Sequence, residues 1–159
     1  MSKKISRRDF IKTTAAAGGA AALMPQTIFS SQNNKNLRIG FIGTGLRGQW
    51  MLWLATKYPD VEIPAICDID DGMIGAALKI IKDSGREEPK VYKKNDEDFR
   101  NLVKNEDLDG VYIATPWKWH HPMAIAAMKA GIHVGTEVPA ALTVNECCLL
   151  YTSPSPRDL

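Results

Sequence analysis

Three glycines, Gly43, Gly45 and Gly48, stand at G-x-G-x-x-G spacing directly after the apolar run 37–42, and a helical pattern follows them. This order is typical of a strand, a tight turn and a helix N-terminus that approach the pyrophosphate of a dinucleotide. Gly43 permits the turn, Gly45 removes a Cβ that would collide with phosphate, and Gly48 lets the helix pack against the strand. The helix would then offer free N–H groups and the positive end of its dipole to the anion.

Asp68 lies 20 residues beyond Gly48, at the end of the next apolar run. A carboxylate at this distance is expected to accept hydrogen bonds from the hydroxyls of the adenosine ribose. Asp70 and Asp71 follow and no arginine is adjacent, so a 2′-phosphate would be repelled. The sequence therefore predicts NAD rather than NADP as the cofactor. The alternative is that Asp68 only begins a turn and that Asp70 caps a helix.

Two tryptophans, a lysine and two histidines follow the fourth apolar run: Trp117, Lys118, Trp119, His120 and His121. In an open α/β sheet, ligands bind in the crevice beyond the carboxyl ends of the strands. These side chains could therefore line the nicotinamide side of the pocket, and His120 is the one candidate for a catalytic role. The alternative is that the tryptophans pack on their neighbours and that His121 caps a helix.

Glu137 and Val138 end the fifth apolar run, again on the side where ligands are expected. A carboxylate at a strand end is seldom needed for packing, so Glu137 is a candidate for cofactor contact. The alternative is that Glu137 is simply solvated.

The composition argues against nucleic-acid and metal partners. The net charge is +2, but the first twelve residues hold five basic side chains and one acidic side chain, so the remainder is mildly acidic. No basic surface for a nucleic acid is therefore expected. The three cysteines, Cys67, Cys147 and Cys148, have neither a disulfide framework nor the spacing of metal ligands.

Residues 1–24 are similar to a twin-arginine export signal. The pair Arg7 and Arg8 precedes a weakly apolar, alanine-rich stretch that is too short for a spanning helix. The segment predicts an exported, periplasmic protein that uses the twin-arginine export machinery and has no stable membrane anchor. A cytosolic protein with a basic tail is the alternative. Residues 25–36 are interpreted as a linker.

From residue 37 onward, short apolar runs alternate with helical patterns, as is typical of βαβ units in a parallel sheet. The fold class expected is α/β, a Rossmann-type doubly wound parallel sheet, over residues 37–147. The apolar runs predict strands at 37–42, 61–67, 91–92, 109–114 and 133–137.

The intervening helices have features that can be predicted from local sequence. The first helix is expected to turn one apolar stripe toward the core: Leu46, Trp50, Trp53 and Leu54. Asp70 or Asp71 is expected to cap the second helix, and Pro122 fits the first turn of the fourth.

The C-terminal end departs from this regular pattern. Thr143 and Glu146 predict a capping box for a last helix, but two prolines soon interrupt its amphipathic pattern. The string CLLYTSPSPRDL resembles translated sequencing-adapter read-through. Residues 148–159 are therefore interpreted as a non-native tail, and the chain as a cofactor domain whose C-terminal substrate domain is missing.

Taken together, the motifs resemble the Gfo/Idh/MocA oxidoreductases, through the glycine turn, CD at 67–68, ATPxxxH at 114–120 and ExP at 137–139. More narrowly, GTGLRG, CDID, ATPWKWHHPMA and HVGTEVPAALTVNEC resemble glycoside hydrolase family 109, exported NAD-dependent enzymes that act on α-N-acetylgalactosaminides. The resemblance covers residues 36–147. It implies cofactor contacts from Leu46, Arg47, Asp68, Trp117, Lys118, Trp119, His120, Glu137 and Val138.

The resemblance also implies a reaction. The broad family has Glu-Lys-Pro where this chain has Glu137-Val138-Pro139, which argues against lysine-assisted alcohol dehydrogenation; the narrower family shares the valine. The implied route is transient oxidation of the sugar C3 hydroxyl, loss of the C2 proton, elimination of the glycosidic oxygen, addition of water and return of the hydride. The base and most sugar contacts would come from the following domain, so this chain alone is expected to be inactive.

Two other functions stay open. One is an NAD-dependent dehydrogenase of a sugar or cyclitol from the same family, and the other is a binding module that keeps only the Rossmann shape. Both enzyme hypotheses, the glycosidase and the dehydrogenase, imply a substrate of the carbohydrate or cyclitol type. A homo-oligomer is possible.

Overall fold

The computed structural model describes residues 36–153. The predicted export signal, all but the last residue of the predicted linker, and residues 154–159 of the predicted tail lie outside the described residues. Within the described part, no helix is long and apolar enough to cross a membrane. The strands are β1 (Leu37–Ile42), β2 (Val61–Glu62), β3 (Ala65–Cys67), β4 (Lys90–Tyr92), β5 (Gly110–Ile113) and β6 (His133–Thr136). The helices are α1 (Leu46–Ala55), α2 (Asp71–Asp83), α3 (Phe99–Asn105), α4 (Trp117–Lys129) and α5 (Val144–Thr152).

The strands pair in parallel in the order β4-β3-β1-β5-β6, with the short β2 beside β1. The chain winds outward from β1 through β3 to β4, then returns to β5 on the other side of β1. The order thus reverses at β1, and a crevice opens there beyond the carboxyl ends of the strands. This topology confirms the predicted Rossmann-type doubly wound sheet.

Both faces of the sheet are covered by apolar clusters, and β1 contributes to both because its side chains alternate. Phe41 packs with Leu52 of α1 and Ile74 of α2, whereas the neighbouring Ile42 packs with Phe99 of α3 and Met123 of α4. A strand buried on both faces needs apolar residues on both, which explains the uninterrupted apolar stretch from Ile39 to Ile42.

The predicted second strand, 61–67, is interrupted. The structure has two short strands, β2 and β3, separated by Ile63 and Pro64. Proline has no N–H to donate to a ladder, so the pairing with β1 breaks at this point. The Pro64 carbonyl still accepts a hydrogen bond from the Lys90 backbone N–H at 2.9 Å, which begins the pairing of β3 with β4.

The predicted inward face of α1 is wrong. Leu46, Trp50 and Trp53 are 85%, 52% and 45% exposed, whereas Gly48 and Leu52 are buried. Gly48 has no side chain and lets the helix approach the glycine turn very closely. This contact, rather than the apolar stripe, sets the rotation of the helix.

The predicted start of the fourth helix is also wrong. Helix α4 begins at Trp117, with Pro116 as its N-cap, so Pro122 lies inside the helix rather than in its first turn. The residues expected in a loop therefore form the first helical turn, and His121 lies within the helix instead of capping it. Two other caps are confirmed: Asp70 accepts from the Met73 N–H in front of α2, and Thr143 and Glu146 form the capping box of α5.

Candidate cofactor site

Two of the three motif glycines are required by the fold itself. Gly43 has φ +89°, and a Cβ there would lie 2.6 Å from the Ala114 carbonyl oxygen. A Cβ on Gly48 would lie 2.0 Å from the Gly43 carbonyl oxygen. These positions shape the turn between β1 and α1 and the close contact of the helix with it.

Gly45 differs from the other two glycines. Its backbone φ of −63° suits any residue, and a Cβ there would meet no atom within 4 Å. It is the N-cap of α1, and no side chain caps the helix. The space in front of the α1 N-terminus is therefore open, as needed for a pyrophosphate that binds to free N–H groups and the helix dipole.

The Asp68 carboxylate joins the end of β3 to the glycine turn. Its Oδ2 accepts from the Thr44 backbone N–H at 2.5 Å and from the Thr44 hydroxyl at 3.0 Å. Its Oδ1 accepts from the N–H groups of Ile69 and Asp70, at 2.7 and 3.0 Å. The turn-forming role considered as an alternative is therefore present, and these bonds fix the carboxylate at the edge of the crevice.

A cavity of about 390 Å³ lies in this crevice, between the ends of β1, β3 and β5. Six of the predicted cofactor residues line it: Gly43, Gly45, Leu46, Asp68, Lys118 and Trp119. The sequence reasoning missed Ile69, Met73, Asn95 and Asp96, which also line it. Ile69 and Met73 closely follow Asp68 in the sequence, and this proximity to a candidate site residue was the only signal available for them.

Glu137 and Arg47 contact each other, although they are 90 residues apart in the sequence. Arg47 Nε donates to Glu137 Oε1 at 2.6 Å, and the Tyr112 hydroxyl donates to the same oxygen. These bonds from Tyr112 and Arg47 lower the pKa of Glu137. Burial and the bond to Glu137 raise the pKa of Tyr112 to about 12. At neutral pH the glutamate is therefore ionised and the tyrosine keeps its proton.

His120 is buried and does not line the cavity. Its Nδ1 lies 2.7 Å from the Pro139 carbonyl oxygen and its Nε2 lies 2.7 Å from the Thr115 carbonyl oxygen. Carbonyl oxygens only accept, so both contacts are hydrogen bonds only when the ring carries two protons. The ring links the segment after β5 to the segment after β6. Its contacts are those of a residue that holds two site loops together.

Trp117 and Val138 do not line the cavity, whereas Trp119 does. Trp117 and Val138 are largely exposed, and Trp119 packs edge-on against Phe99 with ring centroids 6.1 Å apart. Within the described part of the chain, no three His, Cys, Asp or Glu side chains cluster as metal ligands would.

Two family models match the sequence. Residues 37–153 match an oxidoreductase family with an NAD-binding Rossmann fold, GFO_IDH_MocA. Residues 4–24 match the signal sequence of the twin-arginine translocation (TAT) pathway, which supports the predicted export route.

Curated relatives are similar over most of this chain. A glycosyl hydrolase family 109 protein from Parabacteroides distasonis is 44% identical over 158 residues, covering 89% of this chain and 34% of the relative. The α-N-acetylgalactosaminidase from Tannerella forsythia is 43% identical over 161 residues, with the same coverage of 89% and 34%. The chain thus spans about a third of the length of these relatives.

A solved structure gives the same fold. Scyllo-inositol dehydrogenase from Lactobacillus casei, with bound cofactor NAD(H) and scyllo-inositol, matches with a TM-score of 0.60 at 26% identity, covering 70% of this chain and 31% of that one. The glycine turn, the open helix N-terminus and the carboxylate at the end of β3 fit a dinucleotide. The chain belongs to the Gfo/Idh/MocA oxidoreductase family, and residues 37–153 match its NAD-binding Rossmann domain.

Proposed function

We propose that this chain is the NAD-binding part of an exported, periplasmic glycosidase that acts on α-N-acetylgalactosaminides. The observation that carries the cofactor role is the open N-terminus of α1 at Gly45, with Asp68 fixed beside it. The substrate class is supported by the similarity to the Tannerella forsythia enzyme. It is further supported by Val138, which stands where the broader family resembled by this sequence has lysine.

The residues of this chain would bind and orient the cofactor. The α1 N-terminus would bind the pyrophosphate, Asp68 would accept from the adenosine ribose, and Glu137 would lie along the other half of the dinucleotide. Bound NAD would supply reversible hydride transfer at the sugar C3, which acidifies the C2 proton and permits elimination and hydration.

The cofactor role is tested by replacing Gly45 with alanine. A Cβ there has open space, so Gly45→Ala should fold like the wild type, while the methyl group blocks the approach of phosphate. We expect NAD affinity, measured by calorimetry on the whole chain, to fall at least about tenfold, or about 1.4 kcal/mol.

The matched control is Gly75→Ala, because Gly75 in α2 also has open space and lies away from the cavity. It should leave NAD affinity unchanged. A wild-type chain that does not bind NAD would refute the cofactor role.

The substrate class is tested on the intact gene product. Release of free N-acetylgalactosamine from an α-N-acetylgalactosaminide without accumulation of NADH supports the glycosidase. Formation of a keto sugar with stoichiometric NADH favours the alternative, a sugar or cyclitol dehydrogenase. The structural similarity to scyllo-inositol dehydrogenase supports this alternative.

A further inference from the structure

Tyr112, which contacts Glu137, belongs to none of the sequence motifs. It lies in β5, directly opposite Gly135 of β6. A Cβ on Gly135 would approach the tyrosine ring to 3.3 Å, and Phe41 of β1 holds the other side of the ring with centroids 5.9 Å apart. Gly135 thus leaves room for the ring to lie across β6. The hydroxyl then reaches Glu137, two residues further along and on the same side of the strand.

Tyr112 and Arg47 approach Glu137 from different elements, β5 and α1, yet both donate to Oε1. The second oxygen, Oε2, accepts no hydrogen bond from any described residue. The side chain stays partly exposed. Two donors therefore fix the carboxylate by one oxygen and leave the other free to accept from a ligand.

We propose that Tyr112 is a positioning residue that holds Glu137 so that Oε2 accepts from a ribose hydroxyl on the nicotinamide half of bound NAD. This inference rests on the proposed function. Asp68 stands at the end of β3, on one side of β1, and Glu137 follows β6, on the other side. A dinucleotide whose adenosine half binds at Asp68 and whose pyrophosphate lies at α1 extends its other half toward β5 and β6.

The test is Tyr112→Phe, which removes the hydroxyl and keeps the ring. Affinities for NAD, nicotinamide mononucleotide and AMP are measured by NMR titration of the whole chain. Without the Tyr112 hydroxyl, the Glu137 carboxylate is no longer held in place, and its Oε2 loses the hydrogen bond from the ribose. We therefore expect NAD and the mononucleotide to bind about tenfold more weakly. AMP, which lacks the nicotinamide half, should bind as tightly as to the wild type.

The chain offers a matched control in Tyr92→Phe. Tyr92 also lies in a strand and donates its hydroxyl to a glutamate, Glu106, which pairs with Lys90 at 2.8 Å. Tyr92 contacts the cavity-lining Asp68 only through its backbone carbonyl, which the substitution keeps, and Tyr92, Glu106 and Lys90 do not line the cavity themselves. Tyr92→Phe loses the same kind of bond and should leave all three affinities unchanged.

Glu137→Gln, which keeps the side-chain size but not the charge, should show the same selective loss and decides the matter if Tyr112→Phe does not fold. If both variants bind all three probes like the wild type, the positioning role is overturned while the proposed function stands. An equal loss of AMP affinity would also overturn it, because Tyr112 would then support the fold as a whole. A wild-type chain that binds none of the probes would remove the proposed function itself.

Discussion

The Glu137 carboxylate keeps its charge because of its neighbours. The hydrogen bonds from Tyr112 and Arg47 lower its pKa below the ordinary value of 4.5, and the nearby His120 acts in the same direction. A carboxylate whose pKa is lower in the folded than in the unfolded state stabilises the fold at pH values above its unfolded-state pKa. This stabilisation is lost as the pH falls through the folded-state pKa. The group therefore stabilises the protein at neutral pH and ceases to do so in acid.

We expect Tyr112→Phe to have a lower free energy of unfolding than the wild type at pH 7. This difference in free energy should narrow as the pH falls below about 4.5, because protonated Glu137 gains less from the hydrogen bond of the tyrosine. Urea unfolding at pH 7 and pH 3 measures both differences. In a Glu137→Gln background, the difference in free energy of unfolding caused by Tyr112→Phe should not change with pH. If the difference also stays constant when Glu137 is present, Tyr112 does not lower the pKa of this carboxylate.

At the scale of the elements, short sequence motifs correctly predicted the features that depend on interactions between residues close in sequence. The caps at Asp70 and at Thr143 and Glu146 depend on residues three apart, and both are confirmed. The strands and the doubly wound order were likewise predictable from short apolar runs that alternate with helices. The break at Pro64 could also have been predicted from the sequence, because proline has no N–H to donate to a strand ladder.

Contacts that depend on tertiary structure could not be predicted. Tyr112 meets Glu137 only because β5 and β6 pair in a register that places it opposite Gly135. The apolar stripe of α1 suggested a buried face, but the close approach of Gly48 to the turn determines the rotation of the helix. A periodic pattern shows that a helix has a face, whereas the backbone contact decides where that face points.

The rotation of α1 can be tested with two adjacent residues. Leu52 is fully buried, whereas Trp53, in the stripe predicted to face inward, is 45% exposed. Leu52→Ala should lower the free energy of unfolding by about 2–5 kcal/mol because it leaves a cavity in the core. Trp53→Ala, although it removes a larger side chain, should cost less than about 1 kcal/mol. Urea unfolding measures both, and the reverse ranking would mean that the stripe is buried.

At the scale of the whole molecule, residues 37–153 match the NAD-binding Rossmann domain of an oxidoreductase family. The described residues form a crevice for a dinucleotide, while the chain spans about a third of the length of its curated relatives. Because the crevice is built from the ends of β1, β3 and β5, a ligand there is coupled to the stability of the entire sheet.

This coupling gives a test of cofactor choice. Asp68 and Asp96 both line the cavity, so the side of it proposed to bind adenosine is acidic and would repel a 2′-phosphate. At a concentration of 100 times its dissociation constant, NAD should stabilise the folded chain by about 2.7 kcal/mol. NADP at the same concentration should give a much smaller increase, measured as the shift of the thermal unfolding midpoint. Equal shifts would mean that these carboxylates do not select the cofactor, and the preference for NAD would then need another cause.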